Sequence, residues 1–170
     1  MAGSLIKIDE EIVTSAVASV TLTGIDSDDV YMVAVSNSTS SSDVVNYNIR
    51  FTTSGTPDTT ANYDFARYGL NANTTFDSAG VVNSSQPTLN RGGTGTGEQM
   101  NWIIYLYNFN NASEYSFMTF ESTGIDYTPH TKAYQGGMVH TVAQACDGIQ
   151  FFYSAGNIAS GTFTLYKLSS

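Results

Sequence analysis

Apolar and polar residues alternate with a period of two along much of this chain, which predicts β-strands with one dry face and one wet face. The clearest stretch is Val45-Asn-Tyr-Asn-Ile-Arg-Phe-Thr. Val45, Tyr47, Ile49 and Phe51 share one face there, and Asn46, Asn48, Arg50 and Thr52 share the other. Further strands are predicted over residues 19–23, 30–36, 100–109, 114–121, 138–143, 149–153 and 162–168. Residues 30–36 are apolar on both faces, as a central strand would be. Trp102, Ile103, Ile104, Tyr105, Leu106 and Tyr107 make 100–109 the most apolar run. Residues 63–70 fit either a strand or one helical turn.

Good helix formers are sparse, while β-branched and aromatic residues are plentiful. The predicted fold is therefore all-β: a two-sheet β-sandwich or jelly roll of about eight or nine antiparallel strands. Residues 108–113 read as a hairpin loop, and 154–161 as a Gly-rich turn between the last two strands. Long polar loops are predicted over 36–43, 53–61 and 71–87, and residues 91–97 form a glycine run. With no linker and no convincing repeat, residues 16–170 read as a single domain. Residues 1–15 stand apart as an N-terminal arm or an edge strand. As an arm they would anchor on a neighbouring subunit through Leu5, Ile6, Ile8, Ile12 and Val13.

Composition narrows the function. Only 12% of residues are charged, and the net charge is −9. Ser, Thr, Asn and Gly must carry solubility, helped by the acidic balance. The 6 basic residues are scattered. Nucleic-acid binding needs clustered positive charge, so neither nucleic acid nor an anionic membrane is an expected partner. Cys146 is the single cysteine and reads as a small packing residue. Four N-x-S/T sequons, at Asn37, Asn73, Asn83 and Asn111, arise readily by chance in so Ser/Thr/Asn-rich a chain. No export leader precedes Asp9-Glu10-Glu11, which predicts folding in a cytoplasm.

Catalytic patterns are missing. The glycine run lacks the lysine and the following helix of a phosphate loop, and no G-x-S-x-G elbow occurs. His140 falls in a strand pattern and His130 in a loop, neither beside an evident nucleophile. Glu114 and Glu121 would point to opposite faces of one strand rather than pair for glycoside hydrolysis. Asp26, Asp28 and Asp29 crowd one turn and could attract a hard cation, but Asp is also a common turn former. No cofactor, metal site or enzymatic activity is expected. Of 11 tyrosines, Tyr107, Tyr127 and Tyr134 are the expected exposed ones, suited to a subunit interface or a sugar ring.

Three pairs of stretches carry a resemblance. They are Leu5-Ile-Lys-Ile-Asp-Glu-Glu-Ile-Val-Thr-Ser with Ala18-Ser-Val-Thr-Leu-Thr-Gly-Ile-Asp; Phe51-Thr-Thr-Ser-Gly-Thr-Pro with Gly95-Thr-Gly; and Asp147-Gly-Ile-Gln-Phe-Phe with Gly156-Asn-Ile-Ala-Ser-Gly-Thr-Phe-Thr-Leu-Tyr. Together they resemble virion structural proteins of marine tailed phages, especially cyanophages. The closing hairpin resembles the ending of many phage jelly rolls, with Lys167 where glycine is usual. The resemblance implies a non-enzymatic virion protein, foremost a capsid decoration or cement subunit on the outer surface of the head. It implies a homotrimer or other homo-oligomer bound to the major capsid protein or another virion protein. The alternative it implies is a tail-associated fibre, knob or adhesion module, whose loops at 36–43, 53–61 and 71–87 would contact host surface glycans.

Overall fold

In a computed structural model, which describes residues 4–125, 127 and 130–169, the chain is all-β and forms two packed antiparallel sheets. The strands are β1 (Ser4–Val13), β2 (Ser19–Thr23), β3 (Tyr31–Ser40), β4 (Val45–Thr53), β5 (Thr56–Pro57), β6 (Tyr63–Asn71), β7 (Phe76–Ser84), β8 (Thr88–Gly92), β9 (Met100–Tyr107), β10 (Ser116–Ile125), β11 (Thr131–His140), β12 (Gly148–Tyr153) and β13 (Ile158–Ser169). The larger sheet has the order β1-β13-β3-β9-β10-β11-β6-β7. The smaller sheet runs β2-β12-β4-β5, with β8 also paired to β4.

Within β4, Val45, Tyr47, Ile49 and Phe51 are buried as the alternation implies, but Asn48 and Thr52 on the expected wet face are buried too, bonded to Thr88 and Asp147. The four apolar side chains meet the inner residues of the larger sheet. Tyr47 stacks on Trp102 of β9 with ring centroids 4.3 Å apart, and Tyr153 meets Tyr47 edge-on at 4.8 Å. Phe51 packs on Tyr63 and Phe109, and Phe151 on Phe163. One continuous apolar cluster thus joins the sheets. β12 lies centrally in the smaller sheet, and its Gly148 lets β2 and β4 close in. A Cβ there would stand 2.1 Å from the Leu22 carbonyl oxygen and 2.8 Å from Thr52 Oγ1. Gly148→Ala is therefore expected to lower unfolding stability by about 1–3 kcal/mol in a urea titration.

Among the described residues thirteen strands form where about eight or nine were expected. β7 occupies most of the predicted polar loop 71–87, and β8 takes in the start of the glycine run. Both are edge or near-edge strands; β7 has no dry face and is defined by its pairing, whereas β8 puts Leu89 into the core. The strand predicted at 138–143 lies instead at Thr131–His140. Gly136 and Gly137 interrupt its alternation, and the Phe120 ring fills the space over Gly136, 2.8 Å from where a Cβ would sit. The expected closing hairpin is absent. β12 pairs with β2 and β4, while β13 pairs with β1 and β3, so the 154–157 turn carries the chain from one sheet to the other.

Residues 4–13 form an edge strand, paired with β13 from Ser4↔Ser169 to Val13↔Gly161. The register slips between Lys7 and Asp9, which turns Ile8 toward the core. Asp9 Oδ2 accepts the Thr23 backbone N–H at 2.9 Å and pins this bulge to the smaller sheet.

Candidate attachment surface

The outer face of the larger sheet carries the feature most unlike an ordinary solvated surface. Register puts one residue from each strand into rows across it. One row is small: Thr119 on β10 faces Gly137 on β11, which faces Ala66 on β6, which faces Gly80 on β7. These residues floor a trench crossing four strands, about 14 Å at ordinary strand spacing. One wall is Phe117 and Val139, with Val82 at its far end. The other wall is Ile103, Glu121, Gln135 and Tyr68, again in register. Tyr105, opposite Thr119, closes the β9 end. The hollow beside Tyr105 and Tyr68 measures about 890 Å³, and the one beside Val82 and Phe117 about 910 Å³.

Apolar groups dominate this face. Ile103, Tyr105, Phe117, Tyr68, Leu70, Phe76 and Val82 are exposed, with Phe76 at 66% and Val82 at 69%. Tyr68 and Phe76 stack at 5.8 Å. By strand parity the charged side chains on the outer face of β6, β7, β9, β10 and β11 are Asp64 and Glu121, and Asp64 Oδ1 is held by the Asn83 N–H at 2.8 Å. Contiguous exposed apolar area of this kind marks a contact surface. No helix among the described residues covers it.

The signal for this face lay in β9. Trp102, Ile104 and Leu106 fill the core, yet Ile103, Tyr105 and Tyr107 between them are apolar too. A strand apolar on both faces, in a chain without helices to cover one of them, leaves that face unpartnered.

The residues picked out from sequence scatter. Leu5, Ile6 and Ile12 are exposed on β1, Ile8 is half-buried, and Val13 is in the core. Tyr107 is half-buried, its hydroxyl 3.4 Å from Thr119 Oγ1. Tyr127 lies between Arg91 and Lys132, whose cationic groups stand 5.7 Å and 5.6 Å from its ring centroid. Tyr134 is not exposed: at 5% it belongs to the core. Its strand starts earlier than expected, which turns it inward, and Gly69 opposite leaves room for its ring under the Arg67 guanidinium, 4.5 Å away.

Several of the candidate ionisable groups are engaged in structure. Lys167 Nζ lies 2.8 Å from Asp29 Oδ2 and 3.8 Å from Asp26 Oδ1, so the acidic turn has its own cation. That ammonium holds the Asp29 carboxyl below its ordinary value. Asp28 accepts from Asn111 Nδ2 at 3.2 Å. Among the described residues no three His, Cys, Asp or Glu side chains converge as a metal site. Cys146 is buried, and burial pushes its thiol up. Glu114 accepts from Asn108 within the hairpin loop, Glu121 stands on the outer face, and His130 is exposed.

His140 is the exception in depth. It is fully buried, and its Nε2 meets Asp58 Oδ2 at 2.7 Å. Burial alone would raise the Asp58 carboxyl. Hydrogen bonds from the Thr60 hydroxyl and N–H, from His140 and from Asn62 outweigh it and hold the group at about 2. An ionised carboxylate only accepts, so Nε2 carries the proton of that bond. Tyr63 completes the node, donating to the Asp58 carbonyl at 3.1 Å and accepting the Phe51 N–H at 3.0 Å. The node ties the 58–62 loop to β4, β6 and β11.

No family model matches the chain, and no curated protein matches it. Among solved structures, the crystal structure of infectious bursal disease virus VP2 subviral particle aligns with 98% of this chain and 41% of that one, at 12% identity and a TM-score of 0.15. The chain thus spans about two fifths of that protein's length. A similarity this slight informs neither fold nor role.

Proposed function

We propose that this chain is a non-enzymatic virion structural protein that works by burying surface, as a capsid decoration or cement subunit on the outside of a phage head. The observation that supports it is the uncovered apolar face over the Thr119–Gly137–Ala66–Gly80 trench. Cement acts by contact area between neighbours, which calls for such a face rather than for converging ionisable groups. Residues 4–13 are tied into their own sheet, so attachment passes from the N-terminal segment to this outer face. Particles assembled without this protein should lose integrity at lower temperature and pressure than complete particles. Equal resistance of the two would end the cement role.

A second reading has its own observation. Tyr68 and Tyr105 stand at the trench with Gln135 and Glu121 beside them, aromatic faces next to hydrogen-bonding groups. That pairing of chemistries suits a sugar ring, as an adhesion module on a tail would need. Host-glycan binding lost on Tyr68→Ala and Tyr105→Ala, with heat resistance of the particles unaffected, would select this reading over cement.

A further inference from the structure

We infer that the free edge of β7 pairs antiparallel with β7 of a second copy, about a two-fold axis at Ala79. This deepens the attachment reading by naming one partner and the strand that meets it.

The hydrogen-bonding phase of β7 follows from its turn. Asn71 N–H donates to the Thr75 carbonyl at 3.1 Å, and pairing then alternates along the hairpin. Asp77, Ala79 and Val81 therefore bond to Gly69, Arg67 and Phe65, while the N–H and C=O groups of Phe76, Ser78 and Gly80 point away from β6. Ala72 N–H, donating to the Thr131 carbonyl at 3.0 Å, shows the complementary phase on the other side of the hairpin, where even-numbered residues face β11. Both faces of β7 are exposed over nearly its whole length.

The two edges of the larger sheet differ sharply. β1 is blunted by Lys7, by the bulge at Ile8 and by the acidic run Asp9-Glu10-Glu11, all devices that discourage edge pairing. β7 has one charge, Asp77, which lies 3.4 Å from Arg67 and so is already matched. It contains no proline, and its irregularity is confined to the end near Asn83. Pairing β7 with β1 of another copy would bring Asp77 toward that acidic run. Pairing β7 with itself would not.

The sequence of β7 is also self-complementary about Ala79. Ser78 would face Gly80 of the partner subunit, and Gly80 would face its Ser78, closing four backbone hydrogen bonds. Phe76 and Val82, the two most exposed apolar side chains here, would face each other across the axis on both sides. Asp77 would face Val81 of the partner subunit rather than its counterpart. The small residues Ser78 and Gly80 lie on the outer face, so the trench would run on into the second copy. Such a contact is isologous and closed, which limits it to a dimer.

The contact is small and belongs with transient interfaces. Sedimentation velocity of the whole protein from about 1 μM to about 1 mM spans the affinity expected of that class. The expected result is monomer at the low end and dimer at the high end. Added salt should strengthen the dimer, because two copies of net charge −9 repel. Ser78→Pro removes one outward N–H at an edge position that tolerates proline, and Val82→Lys puts an ammonium into the apolar pair. Each should shift the transition at least tenfold higher in concentration, with melting temperature at low concentration unchanged. A protein monomeric throughout, a trimer, or a dimer indifferent to both substitutions would overturn the proposal. Particle attachment is read separately. A dimerising protein that leaves particles untouched refutes attachment alone, and a monomer that still cements them refutes only the β7 contact.

Discussion

Trp102→Ala will cost about 3–5 kcal/mol of unfolding stability. Trp102 is fully buried on the inner face of β9 and stacks on Tyr47 of the opposite sheet at an interplanar angle of 10°. Its removal opens a void where the sheets meet and leaves Tyr47, on which Tyr153 packs edge-on, without the ring it stacks on. In a domain of this size each kcal/mol moves the melting temperature by about 2–4 °C, so a fall of about 6–20 °C is expected in calorimetry. Against a typical total of about 5–15 kcal/mol, that loss removes about a fifth of the stability or more. Trp102→Phe keeps a stacking ring and should recover much of the loss. A melting temperature within a degree or two of wild type for the alanine variant would mean that the sheets do not pack through this pair.

Loss of the buried His140–Asp58 contact is the second large effect. His140→Ala removes a charge-assisted hydrogen bond and a ring packed between Tyr63 and Phe51, at an expected cost of about 2–3 kcal/mol. The 58–62 loop should loosen with it, since Thr141 and Asn62 hold its other end through a 2.8 Å backbone bond. Faster amide exchange at Asp58 and Asn62 than at β12 would report that loosening.

Asp58 also makes a prediction in pH. Its folded-state carboxyl titrates at about 2, below its ordinary 3.8. A depressed carboxyl stabilises the fold fully above its unfolded value and loses that contribution as pH falls through the folded one. The wild type should thus lose stability relative to Asp58→Asn between about pH 4 and about pH 2, and the gap between them should be constant above about pH 5. An Asp58→Asn protein with the same acid-denaturation curve as wild type would show that this carboxylate contributes nothing.

How far the sequence could be read depended on the kind of force holding each strand. β2, β4, β9 and β12 have a dry face against the opposite sheet, and that requirement writes a period of two into Val20/Leu22, Tyr47/Ile49/Phe51 and Phe151/Tyr153. β7 has no dry face, so Phe76-Asp-Ser-Ala-Gly-Val-Val carries no alternation and reads as loop. It is a strand because β6 offers it a ladder, a fact stored in β6 and in the turn at 71–75. The start of β11 is hidden for a related reason: Gly136 and Gly137 break its pattern, the space over Gly136 being filled by Phe120 from the neighbouring strand while Gly137 lies on the outer face. Tyr134, outside the strand expected at 138–143, therefore reads as exposed, whereas within β11 it faces the core. The passage of the chain between sheets after β12 is set by partners far away in sequence, so a local turn pattern could not reveal it.

The contact face shows the same divide. The residues of the trench walls were visible as apolar positions in strands, but their exposure depends on nothing being packed outside the larger sheet. β9, apolar on both faces, hints at an unpartnered face, and the topology, with eight strands in one layer and the smaller sheet on one side of it, shows which residues it holds: Ile103, Tyr105 and Phe117 point away from the core.

Hydroxyl-radical footprinting of the protein free in solution and bound to assembled particles tests the attachment surface most directly. If the outer face of the larger sheet makes the contact, oxidation of Tyr68, Tyr105 and Phe117 should fall several-fold on the particle, while Tyr127 and the exposed β1 residues Leu5 and Ile12 keep their free-state rates. Unchanged oxidation at the trench with protection confined to β1, or no protection anywhere, would contradict it.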